Sequence, residues 1–193
     1  MKHPLNDDLN PEHYCAPVIH PTTGEIITKY SKLANDPETI EVWTTLFGKE
    51  FGSLAQGENR TGAKGKDISF VLTYQEIREI TTDRVFTYGR LVVDYRPQKD
   101  DPNRVRLASG GNLITYPGNI TTRTDDLTTS KILWNSILST DQEKHMCMDI
   151  KKFHLCAPMD RYEYMIMRLT DFPEHVQQQY NLQYHAKNGY VYI

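Results

Sequence analysis

The sequence predicts an α+β fold of antiparallel strands with packed helices. Three observations carry this expectation. Apolar residues recur at three- and four-residue spacing over 40–54, as on one face of a helix. Two β-branched and aromatic runs at 86–95 and 104–114 flank a polar turn, as in a hairpin. A second helical stripe follows at 127–138.

Taken in order, residues 1–34 show no clear period and contain turn chemistry at Asn6-Asp7-Asp8, Asn10-Pro11-Glu12 and His20-Pro21-Thr22-Thr23-Gly24. They read as a poorly structured extension. Asn35-Asp36-Pro37-Glu38 is a helix start, a capping side chain followed by proline and an early acid. Ile40, Trp43, Leu46, Phe47, Phe51 and Leu54 form its apolar face, and Gln56-Gly57 closes it. The glycine-rich residues 57–66 read as a flexible loop and 68–72 as a short strand. Thr73 and Glu76 form a capping box over a brief helix with Ile77 and Ile80. The hairpin follows, its second strand interrupted by Gly110-Gly111. A helix over 127–138 is capped by Asp125 or Asp126, with Leu127, Trp134 and Leu138 on one stripe. Residues 145–150 and 162–169 read as strands. Asp171 and Glu174 frame a helix running to Tyr180. Asn188-Gly189 is a turn, and 190–193 is a strand with no partner in view. The resulting divisions are an extension at 1–34, a region at 35–140 and a third at 141–193.

Twenty-two Lys and Arg against 25 Asp and Glu leave a net charge of −3, so any nucleic-acid footprint is local and not global. The apolar fraction is 38% and includes 12 Tyr, which is thin for the length. No apolar run exceeds four residues, which argues against a transmembrane helix or a signal-peptide core and predicts no membrane partner. Three Cys fit a reducing, intracellular compartment, cytoplasmic or nuclear, better than a secreted disulfide framework.

Two places can carry chemistry. Asp149 ends the short apolar run Met146-Cys147-Met148, and a carboxylate at a strand's carboxyl end suits Mg²⁺, with the Ile150 carbonyl as a further ligand. A capping aspartate at a helix start explains the same residue. The hairpin is a local basic patch: Arg84, Arg90, Arg96, Lys99, Arg104 and Arg106 outnumber Asp94, Asp100 and Asp101. Arg104 and Arg106 alternate with Val105 and so share a strand face, and paired guanidinium groups suit a polyphosphate. A solvated face with cross-strand ion pairs explains that pattern equally. His145, Cys147, His154 and Cys156 could supply four zinc ligands, but their spacing departs from zinc-module patterns, and cysteines acting as small apolar residues fit better.

The ordered series Tyr88-Gly-Arg-Leu-Val-Val-Asp-Tyr-Arg-Pro97, Arg104-Val-Arg-Leu107, Leu127-Thr-Thr-Ser-Lys-Ile-Leu-Trp-Asn-Ser136, Met148-Asp-Ile-Lys-Lys-Phe153 and Tyr162-Glu-Tyr-Met165 resembles the amino-terminal half of the reverse transcriptase of long-terminal-repeat retrotransposons, the copia type in particular. The similarity covers about residues 36–193. It implies an incomplete fingers and palm fold, with the hairpin as fingers and 141–193 as the start of the palm. It implies that Asp149, with Ile150 beside it, holds catalytic Mg²⁺, that Arg104 and Arg106 contact the incoming dNTP, and that Arg90, Arg96 and Lys99 face nucleic acid.

Partners implied by the resemblance are an RNA template, a DNA primer, dNTP and the remainder of a retrotransposon polyprotein. His154 stands where the family usually has Phe or Tyr, which screens the ribose 2′-hydroxyl; a smaller polar ring there weakens that screen. Two Mg²⁺ ions need several carboxylates, and no Asp-Asp pair lies downstream of Asp149. The expectation is a fragment of an RNA-directed DNA polymerase, inactive alone. A nonenzymatic nucleic-acid-binding or interaction module is the alternative.

Overall fold

The computed structural model describes residues 16–81, 83–115, 126–144, 146 and 161–193. It is a mixed α/β arrangement, with an antiparallel two-stranded sheet and a mixed four-stranded sheet packed by helices, compatible with the α+β expectation. The chain forms two units, one comprising residues up to Ile114 together with Glu163–Ile193, the other Thr115–Tyr162. The sequence divisions at 34/35 and 140/141 follow motif order and do not coincide with these units.

The first unit is built around the helix predicted at 40–54. The Asp36 carboxylate accepts from Glu38 N at 2.8 Å, and its carbonyl accepts from Thr39 N and Ile40 N. These bonds close the turn that leads into α2, Ile40–Leu54, whose N-cap is Thr39 without a side-chain cap, so the expected capping side chain at 35–36 sits before the helix and does not cap it. Trp43, Phe47 and Phe51 are 1–3% exposed and lie along one side of it. Phe172 meets Phe47 and Phe51 edge-on at 5.5 and 5.3 Å between ring centres, a geometry favoured by the ring quadrupole. Each buried phenylalanine contributes about 1.5–3 kcal/mol by leaving water.

Residues 16–34, expected as an extension, add to this core. β1 (Val18–Ile19) and β2 (Ile26–Ile27) form a small hairpin, and α1 (Tyr30–Ala34) follows. Val18, Ile27, Tyr30 and Leu33 are buried. Ala16 also exchanges two backbone bonds with Tyr95, at 2.8 and 3.0 Å.

The sheet order is β4 (Asn103–Ser109), β3 (Phe86–Tyr95), β5 (Tyr164–Arg168), β6 (Tyr190–Tyr192). β3 pairs antiparallel with β4 and parallel with β5, and β5 pairs antiparallel with β6. Partners across a ladder point to the same side. Thr87, Val105, Met167 and Val191 therefore share the inner face, and all are 0–3% exposed.

Several expectations are corrected. The last strand has a partner, since β6 pairs with β5 and Ile193 exchanges two backbone bonds with Met165 at 2.8 and 2.9 Å. Residues 68–72 are not a strand; they are irregular chain tied to Leu54 and Tyr192 through backbone bonds. The second hairpin strand ends at Ser109, where Gly110 turns the chain into a short 3₁₀ turn, Gly111–Leu113. A Cβ on Gly110 would fall 2.5 Å from the Tyr88 ring. The helix after Phe172, α5 (Glu174–Gln179), starts at Pro173 without a side-chain cap, so the Asp171–Glu174 box is not formed. By contrast α3, Tyr74–Glu79, has the Thr73–Glu76 capping box complete.

The expected flexible loop at 57–66 is pinned. Glu58, 3% exposed, accepts from Arg60 N at 2.9 Å and from Thr61 N and Oγ1 at 2.7 and 2.6 Å. Gln179 clamps the loop backbone on two sides, donating to Gly57 O and accepting from Asn59 N, both at 2.9 Å. The loop runs against α2 because Gly52 offers no side chain; a Cβ there would lie 2.4 Å from Glu58 Cβ. The α6 turn (Leu182–His185) completes the unit, followed by Asn188 and Gly189 at φ 53° and 78°, the left-handed pair of a tight hairpin.

In the second unit, α4 spans Leu127–Ser139, with the Asp126 carboxylate accepting from Thr129 N at 2.7 Å. Leu127, Trp134 and Leu138 are exposed. The strand expected at 145–150 lies outside the described residues apart from Met146, which is irregular. No helix among the described residues is long and apolar enough to cross a membrane.

Candidate functional site

The β3–β4 register puts Arg104 opposite Asp94, Arg106 opposite Val92 and Ala108 opposite Arg90. Arg90, Arg104 and Arg106 therefore lie on one face, away from the buried Thr87 and Val105. Arg96 follows directly at the hairpin end, where its N–H donates to Pro102 O at 2.8 Å. Lys99 N donates to Arg96 O at 3.1 Å in the tip, and the Lys99 side chain is exposed.

Asp94 is the carboxylate ion-paired within this group, and Glu50 of α2 also acts on Arg104. Arg96 Nε is 3.9 Å from Asp94 Oδ1, and Arg106 Nε is 3.8 Å from Oδ2. At those separations the contacts are ionic and not direct hydrogen bonds. One cross-strand ion pair of the kind the sequence allowed, Arg106–Asp94, thus exists, and it is loose, as is the Arg96–Asp94 pair beside it. Burial pulls the Arg104 guanidinium below its ordinary value, Arg106 and Arg96 pull it further, and Asp94 and Glu50 oppose them. Arg104 is held half-buried beside like charges, and an arriving anion would relieve that repulsion.

The remaining predicted residues are placed as follows. Arg84 does not join this group; it sits over the Tyr164 ring at 5.5 Å and 4.0 Å from Glu163. Asp101 pairs with Lys49 of α2 at 2.9 Å and so takes one acid of the tip away from the arginines. Asp149, Ile150 and His154, and with them His145, Cys147 and Cys156, lie outside the described residues. Among the described residues there is no group of three or more His, Cys, Asp or Glu that could hold a metal ion.

The arginine face continues into aromatic residues that sequence reasoning did not single out. β3 residues 86 and 88 point the same way as Arg90, and their β5 partners are Tyr164 and Ile166. Ile166 in turn pairs with Tyr192. Phe86 packs on Tyr164 and Tyr192 at 5.5 and 5.3 Å, and Tyr88 is exposed, its hydroxyl donating to Asn112 at 3.0 Å. The alternation in Phe86-Thr-Tyr88-Gly-Arg90 carries half of this signal. The β3–β5 pairing, which the sequence does not display, carries the rest.

No protein-family model, curated protein or solved structure matches the chain.

Proposed function

We propose that this chain is the fingers-bearing part of a retrotransposon RNA-directed DNA polymerase, and that the outer face of the β3–β4 hairpin contacts phosphates of nucleotide or nucleic acid. The observation behind this reading is the excess of cations on one strand face, with Arg90, Arg104 and Arg106, and Arg96 at its end, against Asp94 and, on Arg104, Glu50. Guanidinium forks match phosphate oxygens bidentately, and backbone pairing fixes where these forks stand. Asp149 and Ile150, which the resemblance assigns to Mg²⁺, lie outside the described residues, so the reading rests on the arginines and on the ordered motif series.

The test is binding of a labelled single-stranded RNA across a salt series. Affinity falls with salt by a logarithmic slope of about 0.7 for each phosphate neutralised on a single strand. Arg104→Ala with Arg106→Ala should flatten that slope by about 1.4, and a slope that does not change removes the proposal. Competition by dNTP separates the readings: a polymerase fingers region yields the RNA or the arginines to triphosphate, whereas a nonenzymatic module ignores it. Primer extension by the chain alone should show no incorporation; incorporation lost in Asp149→Ala would overturn that expectation.

A further inference from the structure

The β1–β2 turn is closed around an imidazole. His20 is 5% exposed. Its backbone N–H donates to Glu25 O at 2.9 Å, and its carbonyl accepts from Gly24 N at 3.1 Å. Ring Nδ1 faces Thr22 N at 3.4 Å, Thr23 N at 3.3 Å and the Thr22 hydroxyl at 3.2 Å. Nε2 is 3.1 Å from Asp36 Oδ2. Backbone amides can only donate, so Nδ1 is the acceptor and Nε2 carries the proton toward Asp36. Asp36 in turn closes the turn leading into α2 through Glu38 N, Thr39 N and Ile40 N. One ring thus ties the turn to the helix start. A cleft of about 520 Å³ adjoins both, walled by Ile19 and Pro21 on one side and by Val42 and Trp43 on the other.

Thr22, His20 and Asp36 stand in the order hydroxyl, imidazole, carboxylate. They do not form a nucleophilic relay. The single Thr22 hydroxyl proton goes to Glu38 Oε2, and two amides already occupy Nδ1.

We propose that His20 is a pH-sensitive latch: its neutral ring holds the 20–25 turn against the start of α2, and a second ring proton releases the turn and loosens the adjoining wall of the cleft. A proton on Nδ1 removes the lone pair and sets the new N–H against two amides, with the Thr22 oxygen, whose own proton goes to Glu38, left as its acceptor. Three carboxylates surround the ring: Asp36 directly, Glu38 through Thr22, and Glu25 of the same hairpin. Lys32 of α1 pairs with Glu25 at 2.8 Å and offsets part of its charge. With the second proton in place, the turn amides bear the loss.

The test is NMR of the whole chain at about pH 7.5 and about pH 5, either side of the ordinary imidazole range. Ring nitrogen shifts report the tautomer, and hydrogen exchange reports the Thr22 and Thr23 amides. Their protection should fall about tenfold beyond the intrinsic pH effect, the worth of one net hydrogen bond, at the midpoint of the His20 ring titration. The Phe47 and Phe51 amides of α2 should not change. His20→Asn supplies an oxygen that accepts from amides two residues on and does not titrate, so it should keep the turn protected at both pH values. Protection that ignores a titrating ring overturns the latch, and so does a ring that stays neutral at the lower pH. The wild-type measurement stands alone if His20→Asn does not fold.

Discussion

Thr87, Val105, Met167 and Val191 are almost sealed, while their chain neighbours Tyr88, Arg106 and Tyr190 stand in solvent. The two faces of the four-stranded sheet are written by alternate residues of one set of strands. On the inner face, shape decides: Gly89 is needed because a Cβ there would meet Met167 Cγ at 2.4 Å. On the outer face charge decides, with Arg96, Arg104 and Arg106 around Asp94 and the Arg96 and Arg106 ion pairs loose. Inner residues should therefore control stability with no effect on polyanion binding, and outer residues should do the reverse.

The largest effect is expected from the inner side. Phe51→Ala removes a ring that packs on Phe47, Phe172 and Tyr180, which should cost about 3–5 kcal/mol in chemical denaturation. The salt slope of RNA binding by the folded fraction should not move. A flattened slope would show that the two faces are coupled.

Next in size is the pinned loop. Burial pushes the Glu58 carboxyl up, but the Thr61 hydroxyl and the Arg60 and Thr61 amides outweigh it and hold the group below its ordinary value. A folded value below the unfolded one means that this stabilisation is complete above the ordinary carboxylate range, near 4.5, and is lost as pH falls through the folded value. Glu58→Gln should cost about 2 kcal/mol at neutral pH. The two proteins should converge in stability on acidification, because wild-type Glu58 then protonates too. Parallel stability curves down to acid pH would contradict the account of the loop.

Smaller in energy is the paired change Arg104→Ala and Arg106→Ala, read in binding. RNA affinity at moderate salt should drop about tenfold, since two charge-assisted contacts are lost, with thermal stability little changed because both side chains face outward. A large fall in melting temperature would place these arginines in the packing of the sheet and weaken their use as a phosphate site.

How far the sequence made these faces legible depends on how local each signal is. The α2 face, the Thr73–Glu76 box and the Asn188-Gly189 turn are written within a few residues and formed as read, except that Ile40 at the start of α2 is exposed. Arg104 and Arg106 share a face because a strand has period two, which is local too. β1 and β2 were missed because two-residue strands have no period to detect. The 57–66 loop looked flexible because its clamp, Gln179, lies about 120 residues away. Arg84 was counted with the basic patch because nothing nearby announces that Glu163 and Tyr164 hold it. The Asp149 half of the candidate site falls outside the described residues, so its reading still rests on sequence pattern.

The smallest expected effect is the most discriminating between the two ways of seeing the arginine face. If Asp94 is there to neutralise a solvated surface, Asp94→Asn only removes loose ion pairs and binding does not change. If the face exists to meet phosphates, Asp94 is a competitor for the same guanidinium groups, and removing its charge frees Arg96 and Arg106. Asp94→Asn should then tighten RNA binding about two- to threefold at low salt and steepen the salt slope. The same change leaves Arg96 and Arg106 without their ion-paired counter-charge and weakens that of Arg104, so stability should fall by about 0.5 kcal/mol. That loss should shrink as salt screens the repulsion among the arginines. Opposite signs in binding and stability, both fading with salt, are the signature of a cation cluster held in readiness for an anion; equal losses in both would make Asp94 a structural partner of the hairpin.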